Sequence, residues 1–269
     1  MFPDGIRANV TSWHYQTRRH WRRASQSIHS RGRVCPEKNF VFLHVPKAGG
    51  TSIRHFFRKV FLEDSIYPEH RLSNFPLWGD VKSEKYKAYL GHLGWSFAQS
   101  ANAETAMLLR DPIERLLSLY TYTCKRRYRQ PLIGGLPNNM SLIQFLKSDN
   151  VGVRQNLDNA QTWQLYHCYH WEQREKLAGE SAQSVFRAAS KNLKKISWLG
   201  VSEDLSSFCA RLSLSKIKII KKTPRKNIST SRTYYSELSD TEKKAILNCV
   251  EMDMALYEKA KTLLIDNAS

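Results

Sequence analysis

The sequence predicts an α/β fold, a central and mostly parallel sheet flanked by helices, and three stretches carry that expectation. In Phe40–Phe61 an apolar run meets Pro46, Lys47 and a glycine pair, and a helical pattern then begins. In Thr105–Tyr120 a second apolar run ends at Arg110-Asp111-Pro112 and again passes into a helical pattern. Ile196–Leu212 repeats the order of strand and then helix. Short apolar runs that each lead into an amphipathic helix read as βα units, whose strands lie parallel in one sheet.

The first unit is the most informative. Phe40-Val41-Phe42-Leu43-His44-Val45 reads as a short buried strand, Pro46 stops its ladder, and Gly49 and Gly50 permit a tight turn with positive φ. Thr51 or Ser52 is expected to cap the helix that follows. Its apolar residues Ile53, Phe56, Phe57, Val60 and Phe61 recur at helical spacing. A strand, a glycine loop and a helix N-terminus together offer free N–H groups and a positive dipole end, which suits an anion. Lys47 adds a full charge at the entrance to the loop. The order differs from a Walker A loop, where the lysine follows the glycines.

Residues 1–38 are polar and basic, with Arg18, Arg19, Arg22, Arg23, Arg31 and Arg33 interleaved with Trp13 and Trp21. They are expected to form an N-terminal extension to a single domain over 39–269, solvated in preference to seated on a polyanion. Pro68–Lys87 reads as a loop. Ala88-Tyr89-Leu90 reads as a short strand ending at Gly91-His92, and the carboxyl ends of parallel strands are where such sheets place ligands. Thr105–Arg110 is the next strand. Asp111-Pro112 starts a helix that packs on the sheet through Ile113, Leu116, Leu117 and Tyr120. Arg115 is expected to pair with Asp111 or Glu114. The basic connection 124–138 is a solvated loop or the lining of an acceptor cleft. Short helices are expected near Ser141–Lys147 and over 182–195. The last element is a long helix opened by Ser239-x-x-Glu242, a capping box, with Ile246, Val250, Met254 and Tyr257 on its core face.

Two of these segments carry a resemblance. His44-Val45-Pro46-Lys47-Ala48-Gly49-Gly50-Thr51-Ser52 resembles the 5′-phosphosulfate loop of sulfotransferases that use 3′-phosphoadenosine 5′-phosphosulfate, most of all the uronyl and heparan sulfate 2-O-sulfotransferases and their bacterial relatives. Arg110-Asp111-Pro112-Ile113-Glu114-Arg115-Leu116-Leu117-Ser118 looks like the second signature of that family, R-D-P-x-x-R-x-x-S. The resemblance implies the P-loop-like sulfotransferase fold and transfer of a sulfuryl group from that donor to an acceptor hydroxyl, on a carbohydrate by default. It implies that Lys47, Ala48, Gly49, Gly50, Thr51 and Ser52 hold the 5′-phosphate, with Lys47 also catalytic. Arg110 and Ser118 would hold the 3′-phosphate, and a guanidinium with a nearby hydroxyl suits that group. His92 matches the family's catalytic base. A second family histidine falls at Gly94 here, so a two-histidine arrangement is not expected.

Softer matches follow. Asp158-Asn159-Ala160-Gln161-Thr162 resembles a D-N-x-Q-T segment of the bacterial members, with Trp163 where arginine is usual, and is expected to shape the acceptor side. Lys222, Arg225 and Lys226 fall where the family closes a basic loop over the nucleotide, or belong to a solvated run. Asp253-x-x-Leu256-Tyr257 resembles the family's C-terminal helix.

Composition bounds what else the chain does. It has 269 residues, 41% of them hydrophobic, enough for a sizeable core. Its 42 basic and 24 acidic residues give a net charge of +18, a field that draws anions without choosing among them. An acidic glycan fits it, a peripheral membrane contact is compatible with it, and no nucleic acid is expected. Cys35, Cys124, Cys168, Cys209 and Cys249 show no C-x-x-C pair, so free thiols are expected. His167, Cys168 and His170 lack a distant partner pattern, and no metal is expected. The absence of a long apolar run or signal-peptide core leads to the expectation of a soluble cytoplasmic protein, or a luminal Golgi one if the chain is a fragment. Two rivals remain at this level, a nucleotide-dependent phosphotransferase and a non-enzymatic polyanion-binding protein.

Overall fold

A computed structural model of the chain describes residues 33–68, 82–125, 140–168, 174, 175, 177, 179–214 and 233–266. Four short strands form one parallel sheet: β1 (Phe40–Leu43), β2 (Ala88–Gly91), β3 (Glu104–Leu109) and β4 (Trp198–Val201), in the order β2-β1-β3-β4. Phe40 stands opposite both Ala88 and Glu104, and Ala106 opposite Trp198. Strands buried on both faces need apolar residues at consecutive positions, which is why Phe40-Val41-Phe42-Leu43 does not alternate. The chain leaves β1 toward β2 on one side and re-enters on the other side as β3. The carboxyl ends of β1 and β3 therefore flank the switch point where open parallel sheets bind ligands.

The alternation of side chains divides the core into two layers. Phe40, Phe42, Ala106 and Leu108 face helices α1 (Gly50–Val60) and α8 (Leu205–Leu214). All five apolar positions expected on α1 and its C-cap are buried, and Phe57 meets Phe40 edge-on with ring centroids 4.8 Å apart. Val41, Leu43, Met107 and Leu109 face the opposite layer, built from α2 (Trp95–Ser100), α6 (Ala160–Tyr166), α7 (Ala182–Leu193) and α9 (Asp240–Asp266). A third cluster lies off the sheet, where α3 (Pro112–Tyr120), α4 (Leu142–Leu146) and α5 (Val151–Leu157) pack on the first half of α9.

The boundaries differ from expectation in ways with local causes. Trp198, not Ile196, opens β4, because Ile196 N–H closes a turn on the Leu193 carbonyl. Ser197 and Thr105 extend the pairing through their hydroxyls, at 3.2 Å each way. Helix α8 begins at Leu205 because Ser202–Asp204 form a 3₁₀ turn, with Asp204 accepting from Ser207 N–H at 3.2 Å. Helices α2, α5 and α6 were not expected at all. Each runs for two turns or less, too short for a hydrophobic period to show. On α9 the capping box forms, with Ser239 N–H bonded to Glu242 at 2.9 Å. The buried stripe of α9 includes Asp253, whereas Met254 sits at its edge. Val34 pairs with Phe61 and so ties the stretch before β1 to the end of α1.

Candidate active site

The loop after β1 is built around backbone that most residues avoid. Lys47 has φ +67° and Gly49 φ +80°, so the chain turns left-handed on either side of Ala48 before α1 begins. The expected Thr51 or Ser52 cap does not form. Gly49 occupies the N-cap and so offers no side-chain cap bond, and no acidic residue lies in the first turn. Thr51 is exposed, and the backbone N–H of buried Ser52 donates to the Gly49 carbonyl at 3.0 Å. A glycine cap leaves the positive end of α1 to be neutralised by something else. Lys47 Nζ lies 3.9 Å above the centre of the Tyr122 ring, in a π-helical turn over Thr121–Lys125 that continues α3.

The glycine at 50 has a second reason. A Cβ there would overlap the imidazole of His44, which packs directly on the first residue of α1. His44 in turn stacks on His92, ring centroids 4.3 Å apart and planes 24° from parallel. A second imidazole thus does lie beside His92, contrary to expectation, and it comes from the end of β1. The 94 position has no room for a side chain, since a Cβ there would strike the backbone of His167 and Cys168. His92 Nδ1 sits 2.8 Å from the His44 carbonyl. A carbonyl only accepts, so Nδ1 carries the hydrogen and Nε2 is the basic nitrogen of the neutral ring. The Gln164 carboxamide donates to the same carbonyl at 3.3 Å and to the Leu93 carbonyl at 2.6 Å. Burial holds the His44 pKa well below the usual histidine value, and the positive charge of a protonated His92, of Arg54 and of Lys47 pushes it the same way.

Arg110 leaves the end of β3 and reaches across the switch point. Its Nη1 donates to the Lys47 carbonyl at 2.9 Å, and Nη2 lies 3.6 Å from Glu114. Asp111 caps α3, accepting from Glu114 N–H at 2.9 Å, and Ser118 is half-buried one turn beyond Glu114. The Asp111 N–H donates to Glu203 at 3.2 Å, and Tyr257 O–H donates to the other oxygen of that carboxylate at 2.9 Å. Burial, and then Glu203, raise the Asp111 carboxyl above its ordinary range. The Tyr257 phenol is raised by burial and by the same neighbour.

Arg115 does not pair with Asp111 or Glu114. It is fully buried, donates to the Asn156 carbonyl at 2.9 Å, and lies 3.9 Å from Asp253, which is fully buried on α9. Asp253 also accepts from Thr162 N–H and Oγ1, both at 2.7 Å, and from Gln161 N–H at 3.2 Å. Its own N–H donates to the Asn159 side chain at 3.0 Å. The D-N-x-Q-T segment was expected on the acceptor side. In the fold it joins α6 to α9 and to the end of β3.

The structure thus gathers Lys47, Ala48, Gly49, Gly50, Thr51, Ser52, His92 and Arg110 at the carboxyl edge of the sheet, with Ser118 on the helix that follows Arg110. Lys222, Arg225 and Lys226 lie outside the described residues, as do the basic residues after Lys125 and His170. Sequence reasoning missed His44, Gln161, Gln164 and Glu203. The first stood inside the loop motif, where its spacing to Gly50 was the available signal. Among the described residues no group of three His, Cys, Asp or Glu side chains is placed to hold a metal ion, and no helix is long and apolar enough to cross a membrane.

A parallel sheet with a lysine–glycine loop and an arginine at its switch point defines a P-loop-like α/β protein. A sequence model of the sulfotransferase family matches residues 30–260, and the chain belongs to that family. Comparison with curated proteins gives no match.

Proposed function

We propose that the chain transfers a sulfuryl group from 3′-phosphoadenosine 5′-phosphosulfate to a hydroxyl of a carbohydrate acceptor. The reading is carried by one observation: Arg110, from the end of β3, bonds the Lys47 carbonyl of the loop after β1. That contact ties a cation to the glycine-capped N-terminus of α1, as a ligand with two separated phosphate groups requires.

The donor supplies an activated sulfuryl group. The backbone N–H groups and hydroxyls of Ala48, Gly49, Gly50, Thr51 and Ser52 hold its 5′-phosphate at the dipole end of α1. Lys47 stabilises the charge that grows on the bridging oxygen as the S–O bond to that phosphate breaks. Arg110 and Ser118 fix the 3′-phosphate, which sets the in-line geometry. The family resemblance also assigns Lys222, Arg225 and Lys226 to the phosphates. His92 Nε2 takes the proton of the acceptor hydroxyl while the new O–S bond forms, and 3′,5′-adenosine bisphosphate leaves. Positioning and electrostatics supply the catalysis. The basic field accommodates an acidic glycan, and the domain is the unit 39–269 with the basic arm 1–38 before it.

Thermal unfolding with 3′,5′-adenosine bisphosphate, ATP·Mg²⁺ and heparin in separate samples tests the reading. Bisphosphate at 100 times its Kd should add about 2.7 kcal/mol, a rise of about 5–10 °C for a chain of this size. Arg110→Ala should abolish the rise. A response to ATP·Mg²⁺ alone, or to heparin alone, would overturn the proposal.

A further inference from the structure

Gln161 is fully buried, and the hydrogen bonds of its side chain run to main chain and not to a ligand-facing side chain. Its carboxamide spans the main chain of Arg110. The Arg110 N–H donates to Gln161 Oε1 at 3.0 Å, and Gln161 Nε2 donates to the Arg110 carbonyl at 3.0 Å. Strand β3 ends at Leu109, opposite Val201, and the β1 ladder has already ended at Met107. Arg110 therefore projects past the sheet at the point where its direction matters most. The glutamine side chain takes the place of a neighbouring strand for that one residue. A neutral amide offers a donor and an acceptor in one plane at this reach at any pH.

The pairing is rigid because the start of α6 is itself held. Gln161 N–H and Thr162 N–H and Oγ1 all end on Asp253, whose N–H is held by Asn159. The next peptide is held as well, Asp111 N–H on Glu203. With its main chain fixed on both sides, Arg110 aims its guanidinium at the Lys47 carbonyl.

We propose that Gln161 is a positioning residue for the 3′-phosphate subsite, and that the D-N-x-Q-T segment serves the donor through Arg110. This rests on the donor reading above. Gln161→Glu keeps the acceptor oxygen and loses the donor when ionised, measured above about pH 8, whereas Gln161→Met keeps the length and loses both. Binding of 3′,5′-adenosine bisphosphate and of 5′-AMP is measured by calorimetry for wild type, both variants and Arg110→Ala. The expected result is a bisphosphate Kd weakened about tenfold or more in both glutamine variants, as loss of one or two buried hydrogen bonds implies, with the 5′-AMP Kd unchanged. Bisphosphate binding within about twofold of wild type would overturn the proposal, and so would an equal loss for both ligands. If wild type discriminates neither ligand, the donor reading has failed instead.

Amide hydrogen exchange on the wild-type chain needs no variant. The Arg110 N–H should exchange about a hundredfold more slowly than an open loop amide in the absence of ligand, and exchange at the open rate would overturn the pairing.

Discussion

Replacing Asp253 by alanine should be among the most destabilising single changes available to this chain, and the structure says by how much. The contact with Arg115, at 3.9 Å, is long for an ion pair, so the attraction between the two charges is the smaller part. The larger part is what the change strands. Two donors at 2.7 Å from Thr162 and one at 3.2 Å from Gln161 lose their acceptor, and a fully buried guanidinium loses its counter-charge. Each stranded donor costs about 1–3 kcal/mol, and breaking a buried pair costs about 3–5 kcal/mol. These overlap in one network and do not add, so a loss of about 5 kcal/mol is expected. Thermal denaturation followed by far-UV circular dichroism should show a fall of about 10–20 °C. Asp253→Asn keeps one oxygen for Thr162 and should lose about 1–3 kcal/mol. Adding Arg115→Met to Asp253→Ala should recover part of the loss, since it removes the buried cation that faced Asp253. A loss below about 1 kcal/mol for Asp253→Ala would refute the account, because the stranded groups would then have found other partners.

Other perturbations are more local. Gly50→Ala should leave the fold cooperative while donor-dependent sulfuryl transfer falls about tenfold or more, because the added methyl displaces the His44 ring and with it the stack on His92. Wild-type activity in that variant would mean the ring moves freely. Lys47→Ala and His92→Ala should each lose turnover with the melting temperature retained, and activity surviving in either would remove its proposed role. The pKa of His44 lies lower in the folded chain than in the unfolded one. As pH falls below about 6.5 the unfolded state gains a proton that the folded state refuses, so stability is lost on acidification. Between pH 7 and 5 wild type should lose stability faster than His44→Phe. The difference is at most about 1.4 kcal/mol per pH unit, and less where solvent screens the ring. Equal slopes would show that His44 titrates freely.

The sequence made the two βα signatures legible because their information is local. Lys47 and Arg110 each sit at the end of an apolar run, and the period of Ile53, Phe56, Phe57 and Val60 is enough to turn α1 onto the sheet. The parallel orientation of the strands followed from the same units, but their order did not. What could not be read were choices made by distant partners. Nothing around Arg115 signals that its counter-ion is Asp253, and nothing around Gln161 signals that its amide completes Arg110. Bonds spanning 91 residues to Asp253 and 51 residues to Arg110 leave no periodic trace. The cap of α1 was misread for a different reason. Threonine and serine are good caps in general, but here the left-handed turn needs glycine at the cap itself. The short helices α2, α5 and α6 are held by tertiary packing and by single caps such as Asn150, which accepts from Val153 N–H at 3.2 Å.

During synthesis all four strands leave the ribosome before α9 does. A nascent chain can therefore pair β1 with β3 and bring the Lys47 loop beside Arg110 while Asp253 is still missing. The three donors at the start of α6 then have no acceptor, and Gln161 has no fixed base from which to hold the Arg110 main chain. Assembly of the sheet and assembly of the site become separate events, the second waiting on a helix made later. A chain stopped before residue 240 should be collapsed and strand-paired yet unable to aim its arginine. Ligand affinity in such a chain would report the docking of one helix.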